Sequence, residues 1–156
     1  MKVFQIHSQL SFYAILAFLV LIGSGCEKND INNNSLNINQ KTIINNGSVV
    51  SNDSEGISLW MKEVTEDSRC PEELDCFWPG NGAIAFVLTI GNHSYPFTLN
   101  TYISPKDTLI GKYNIHLTDL IPWPKANQTI PQSEYKAEVF VSKNNQPRKG
   151  LSFTQT

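Results

Sequence analysis

The stretch AIAFVLTI, residues 83–90, decides the fold. Ile84, Phe86, Leu88 and Ile90 fall on one side of an extended chain, and Ala83, Ala85, Val87 and Thr89 on the other. Successive side chains of a strand point to opposite faces, so both faces here are free of charge. That pattern suits a central strand with neighbours on either side. GNH (91–93) then fits a tight turn into SYPFTLN, with Phe97 and Leu99 inward. Pro96 lacks an N–H for a sheet ladder, which makes this second strand an edge or starts it near the proline.

Outward from that hairpin the period of two continues. In ISLWMKEV (57–64), Ile57, Leu59 and Met61 form one set, with Trp60 and Val64 on the other. KYNIHLTDL (112–120) sets Tyr113, Ile115 and Leu117 against Asn114, His116 and Thr118. YKAEVFV (135–141) sets Tyr135, Ala137, Val139 and Val141 against Lys136, Glu138 and Phe140. No amphipathic helix of three turns interrupts these stretches, and Pro- and Asn-rich joints separate them. Five to seven antiparallel strands in about 100 residues predict an all-β fold, a small antiparallel β-sandwich of Ig-like kind. An open barrel is the alternative. Leu151 and Phe153 offer one final short strand.

The chain has 156 residues with 12 basic and 14 acidic side chains, a formal charge of −2. One ordinary domain is the expectation. No basic run or basic helix favours a nucleic-acid partner. The three cysteines are an odd number, which in an exported protein leaves one thiol to explain. Export is suggested by Lys2, by the apolar run LSFYAILAFLVLI over 10–22, and by the small residues Gly23, Ser24 and Gly25 after it. About 13 apolar residues fall short of the roughly 20 that span a bilayer as a helix.

LIGSGC, ending at Cys26, resembles the lipobox of bacterial lipoproteins, in which signal peptidase II cleaves before a cysteine that carries diacylglycerol. Ser24 and Gly25 fill its small positions, while Ile22 or Leu21 serves as the aliphatic one. The resemblance implies a signal peptide over 1–25, lipid attachment at Cys26 and a membrane partner through that N-terminal anchor. Acyl chains hold a soluble domain at about 0.8 kcal/mol per buried methylene. Residues 26–54 are dominated by Asn and Ser and read as the lipidated cysteine followed by a flexible linker, because such a composition buries too little to offset chain entropy. Ile43, Ile44, Val49 and Val50 leave open an early edge strand there. The folded domain is then expected over 55–156. Glu27 is not the aspartate linked to inner-membrane retention, and EKND loosely resembles surface-export signals of Bacteroidota. The implied address is the bacterial cell envelope, at the outer membrane.

With Cys26 assigned to lipid, Cys70 and Cys76 remain as a pair in DSRCPEELDCFWPGNG. Export makes a structural disulfide between them chemically reasonable. Five intervening residues do not match the two-residue gap of thioredoxin-like redox motifs. Pro71, Pro79-Gly80 and Asn81-Gly82 turn the chain, and Phe77 and Trp78 are expected to cover the end of the core. Glu66, Asp67, Glu72, Glu73 and Asp75 surround Arg69, which reads first as a partner for these carboxylates and second as a ligand contact. The run Asp67, Ser68, Arg69, Cys70, Pro71, then Cys76, Phe77, Trp78 and Gly80, resembles a motif of small uncharacterised Bacteroidota lipoproteins, with Pro79 where that family usually has Ala. The resemblance extends over roughly 57–142 and implies a lipid-anchored all-β domain with no activity attached.

Nucleophilic catalysis needs a base beside Ser, Thr or Cys. After signal removal only His93, in a turn, and His116, on the polar side of a strand, remain. Asp119 lies three residues from His116, on the opposite face unless the chain bends. Scattered histidines and cysteines give no zinc spacing, no EF-hand loop is present, and no nucleotide-binding motif points to a cofactor. A binding module is the stronger reading. Trp123 stands between Pro122 and Pro124, either displayed for a glycan or an envelope protein or packed on an open end of the sandwich. Tyr102 could join such a surface, and Phe140 lies alone on an otherwise charged face. The expected function is therefore a lipid-anchored binding, accessory or structural module. Its alternatives are a small hydrolase or metal-dependent enzyme, which needs His116 and a carboxylate in one cleft, and an enzyme inhibitor that projects the 70–76 loop.

Overall fold

A computed structural model describes residues 34–144 of the chain. The expected signal peptide, Cys26 and the expected last strand at Leu151 and Phe153 lie outside the described residues. Among the described residues there are eight strands: β1 (Lys41–Asn45), β2 (Val49–Asn52), β3 (Ile57–Asp67), β4 (Gly82–Ile90), β5 (His93–Asn100), β6 (Asp107–Ile110), β7 (Tyr113–Ile121) and β8 (Lys136–Lys143). They form two four-stranded antiparallel sheets, in the orders β1-β8-β7-β6 and β2-β3-β4-β5. The inner faces meet over one core that includes Ile44, Leu59, Ile84, Phe86, Leu88, Leu99, Tyr113, Ile115, Ala137 and Val139. The all-β sandwich expected from the period-2 stretches is the fold.

The strand read from AIAFVLTI is interior: β4 pairs with β3 on one side and β5 on the other. Ile84, Phe86 and Leu88 are buried, and Phe86 stacks on Phe97 of β5 with ring centroids 5.6 Å apart. β5 is an edge strand, as Pro96 requires. In β3 the expected phase fails past Met61. Val64 is buried with Ile57, Leu59 and Met61, because a register shift between Met61 and Glu63 inserts an extra residue, and a second shift follows between Val64 and Glu66. A bulge returns the next apolar side chain to the core after an odd step. β7 repeats the device: a shift between Leu117 and Asp119 turns Leu120 inward beside Leu117.

The domain begins earlier than residue 55. The linker expected through residue 54 is structured from Asn34 onward, with Leu36 fully buried and β1 and β2 forming edges of different sheets. Leu36, Thr42, Ile44 and Val50 fill inward positions while Asn, Ser and Lys, with Ile43 and Val49, occupy outward ones, so the average composition conceals a run of buried positions. Burying these side chains offsets the ordering entropy that the composition alone suggested could not be met. The Asn46-Gly47-Ser48 corner carries the chain between sheets. The N–H of Asn46 donates to the Tyr135 carbonyl at 2.9 Å, and that of Gly47 to Met61 in the other sheet at 2.8 Å. β1 and β2 realise the early edge strand left open at Ile43, Ile44, Val49 and Val50, whereas β6, a four-residue edge, has no counterpart among the expected strands.

Candidate functional site

The pairings place the 68–81, 101–106 and 122–135 connections at one end of the sandwich, and the 53–56, 91–92 and 111–112 turns at the other. At the first end, Asp67 closes β3 and Arg69 folds back on it. The Arg69 backbone N–H and Nε donate to Asp67 Oδ1 at 3.2 and 2.8 Å, and Nη2 donates to Oδ2 at 2.7 Å. Nη2 also donates to the Pro122 carbonyl at 2.8 Å, and Nη1 donates to the Leu120 carbonyl. Tyr135 adds a hydroxyl to Asp67 Oδ2 at 2.9 Å. Burial alone would raise the Asp67 pKa, but the adjoining guanidinium and the Tyr135 hydroxyl hold it below the ordinary value. The same burial, with the carboxylate beside it, pushes the Tyr135 hydroxyl up to about 12.

This network joins β3 to the loop between β7 and β8. Arg69 is therefore the carboxylate partner that the sequence favoured, and not a surface ligand contact: it is buried, and its donors are committed within the fold. Gly80 is required by a close crossing. Its φ is +73°, and a Cβ there would lie 1.8 Å from the Ser68 carbonyl oxygen. Asn81, also buried, accepts the N–H groups of Tyr102 and Ile103 at 3.1 and 3.4 Å and donates to Asn100 Oδ1 at 2.9 Å. It thereby fixes the 101–105 connection beside the 68–81 loop.

Cys70 and Cys76 form the expected disulfide, with Cα atoms 6.0 Å apart. The clipped loop is sewn to its neighbour. Trp123 Nε1 donates to the Cys70 carbonyl at 2.7 Å, Glu72 N–H donates to Pro124, and Glu73 accepts from Ala126 N–H. The Arg69 guanidinium lies 4.9 Å from the Trp123 ring centroid, a cation–π distance. Trp123 packs one side on the loop, and the residue remains 46% exposed.

Comparison with family models, curated proteins and solved structures finds no match to this chain.

Phe77 and Trp78 do not cover the core. Phe77 is fully exposed and Trp78 is 56% exposed, because the disulfide and the Gly80 crossing hold this part of the loop outward. Trp78 meets Tyr102 edge to face, with centroids 5.4 Å apart and planes at 78°, and Lys106 Nζ stands 5.5 Å from the Tyr102 ring. The site residues expected from sequence therefore gather in two pairs on one end, Arg69 with Trp123 and Tyr102 with the unforeseen Trp78. Leu74 and Ile103 add exposed apolar surface.

The hydrolase arrangement is not assembled. The β7 bulge puts His116 and Asp119 on the same outer face, correcting the expected opposition, but Asp119 accepts the Leu120 N–H at 2.8 Å and His116 stands between Asp107 of β6 and Phe140 of β8 in the open sheet. Among the described residues, no group of three or more His, Cys, Asp or Glu side chains could hold a metal ion.

Proposed function

We propose that the chain is a lipid-anchored module of the bacterial cell envelope, held through Cys26 at the outer membrane, that binds an envelope protein or a glycan with its disulfide end. One observation carries the binding part: Phe77, Trp78, Tyr102 and Trp123 are all exposed on loops fixed by a disulfide and a buried ion pair. Large rings held in place lose little conformational entropy on contact. The tether rests on the lipobox resemblance at Cys26. Within the domain, the chain enters at Asn34 beside the 51–54 turn, at the end away from these rings, which suits presentation away from an anchor.

Globomycin, which blocks signal peptidase II, tests the tether: full-length precursor should accumulate, and unchanged processing would overturn it. The binding end is tested by recovering partners from native envelope extracts and a glycan library with the full chain and with Phe77→Ala/Trp78→Ala. A reproducible partner lost with the double variant is expected. Equal recovery by both chains would overturn the assignment of this end. The exposed Phe77 and Trp78 also favour an inhibitor reading, for which the recovered partner would be a secreted enzyme whose activity falls on binding.

A further inference from the structure

The two outer sheet faces differ in charge. On the β1-β8-β7-β6 face, Lys41 pairs with Glu138 at 2.7 Å, and Lys136, His116, Asp119 and Asp107 stand around them. On the β2-β3-β4-β5 face, the exposed charges next to Trp60, Lys62 and Glu63, pair with each other at 3.1 Å and leave two uncharged rows beside them. Strand register aligns Val49, Trp60, Val87 and Pro96 in one transverse row, each directly opposite the next. Two residues along, the register aligns Ser51, Ser58, Thr89 and Ser94 in a second row. Adjacent strands lie about 4.8 Å apart and a two-residue step covers about 6.8 Å, so each row is about 14 Å long and the rows lie side by side. Trp60 and Val49 are exposed, at 37% and 47%.

The hydroxyl row runs into a depression. Ser51, Ser58 and Thr89 line an open hollow of about 310 Å³ with Asn52, Asp53 and Gly56. Around the β2 edge, Asn34, Ser35, Ser51, Asn52, Asp53 and Ser54 line a second of about 370 Å³. An indole and a proline ring, a ladder of hydroxyls and a hollow of amides and hydroxyls with one carboxylate thus form one continuous surface.

We infer that this face, centred on Trp60 and the Ser51-Ser58-Thr89-Ser94 row, is a binding platform for a neutral polysaccharide. Sugar rings have apolar C–H faces that lie flat on an indole, and hydroxyl rims that give and take hydrogen bonds as Ser and Thr do. A charged polymer finds no counter-charge in either row. Thr89 and Ser94 share a hydrogen bond at 3.2 Å, but a purely apolar protein face would strip water from the Ser51 and Ser58 hydroxyls without replacing their hydrogen bonds. A hydroxyl-rich, uncharged chain meets both rows. The surface is separate from the disulfide end and does not depend on the reading of that end.

The test is affinity electrophoresis of the full chain through gels containing soluble β-1,3-glucan, β-1,4-linked xylan or α-mannan, with polygalacturonate as the anionic control. At least one neutral polymer should retard the protein and polygalacturonate should not. Trp60→Ala should weaken the retardation about tenfold, the equivalent of one lost stacking contact. Val87→Lys should do the same by placing a charge in the middle of the row. Phe77→Ala/Trp78→Ala should leave it intact. Thermal melts of each variant separate loss of binding from loss of fold, and Val87→Lys, whose side chain lies outside the core, keeps the test decisive if Trp60→Ala unfolds. Retardation by none of the neutral polymers overturns the inference. So does retardation that survives both face variants, retardation lost only with the Phe77/Trp78 pair, or a concentration-dependent dimer abolished by Trp60→Ala, which would assign the face to a second copy of the chain.

Discussion

At the disulfide end, a buried arginine joins Asp67 to the carbonyls of Leu120 and Pro122. At the turn end, the ionic contacts lie nearer water: Glu55 accepts the Tyr113 hydroxyl at 3.0 Å and meets Lys112 at 3.5 Å and Lys143. Both ends use a carboxylate as a hub for cations and a tyrosine, yet the solvent differs. Desolvation makes the Asp67–Arg69 pair indispensable once formed, since removing either partner strands the other, whereas solvent screens the Glu55 cluster and supplies substitutes for each lost contact. Long loops carrying exposed rings are held by the first kind of closure, and tight turns of two to four residues manage with the second.

The contrast is broken most severely by Arg69→Ala. It leaves Asp67 buried without its cation and the Leu120 and Pro122 carbonyls without a donor, and should cost about 3–5 kcal/mol in denaturant unfolding. A loss no larger than that of an ordinary surface substitution would mean the two ends are equivalent. Acid sharpens the same point. The Asp67 pKa is depressed in the folded protein, so its contribution is present above the ordinary carboxylate pKa and is lost as pH falls through the lower folded value. Wild-type stability should therefore drop with acid, and the Asp67→Asn variant should show less of that slope.

Replacing both Cys70 and Cys76 with Ser comes next. The bridge closes a short loop, worth about 2 kcal/mol by chain entropy, and the Arg69 network beneath it stays in place. Melting should fall while the sandwich persists, and tryptophan fluorescence should change as Trp123 loses its fixed acceptor at Cys70. Smallest is Glu55→Gln, which removes the hub of the turn end. Its pKa is lowered chiefly by the Lys143 hydrogen bond, and next by that from Tyr113, so acid should cost the wild type slightly more than the variant. At neutral pH the melting temperature should hardly move. A large loss there would erase the distinction between the ends.

Much of the fold was legible because β3, β4, β7 and β8 are long, with β4 and β8 alternating along their length and β3 and β7 alternating up to their bulges. The strands missed or left open were β1, β2 and β6, each of four or five residues at a sheet edge. A short edge strand buries only one or two side chains, as Ile44 and Val50 show, and an Asn-rich background drowns that signal. The phase error at Val64 has a different origin: a bulge adds a residue that no local preference announces. At the candidate site, Arg69 was readable as a carboxylate partner because Asp67 is two positions away. Its carbonyl partners lie 51 and 53 residues further on and follow only from the fold. The rows on the outer face are hidden for the same reason, since Ser58 and Thr89 become neighbours only through register.

The strand order also sets when each sheet can exist. β2 to β5 are joined in chain order, so each strand finds its partner as soon as that partner is made. The other sheet pairs the first strand with the last, Lys41 with Phe140 and Asn45 with Lys136. Closing so long a loop is slow, because its entropy is lost before any contact repays it. During vectorial synthesis, β1 emerges early and must wait, its Ile44 uncovered, until β8 has followed. The interval is a period of aggregation risk during which a holding chaperone would cover the exposed strand, and it ends only when β8 arrives.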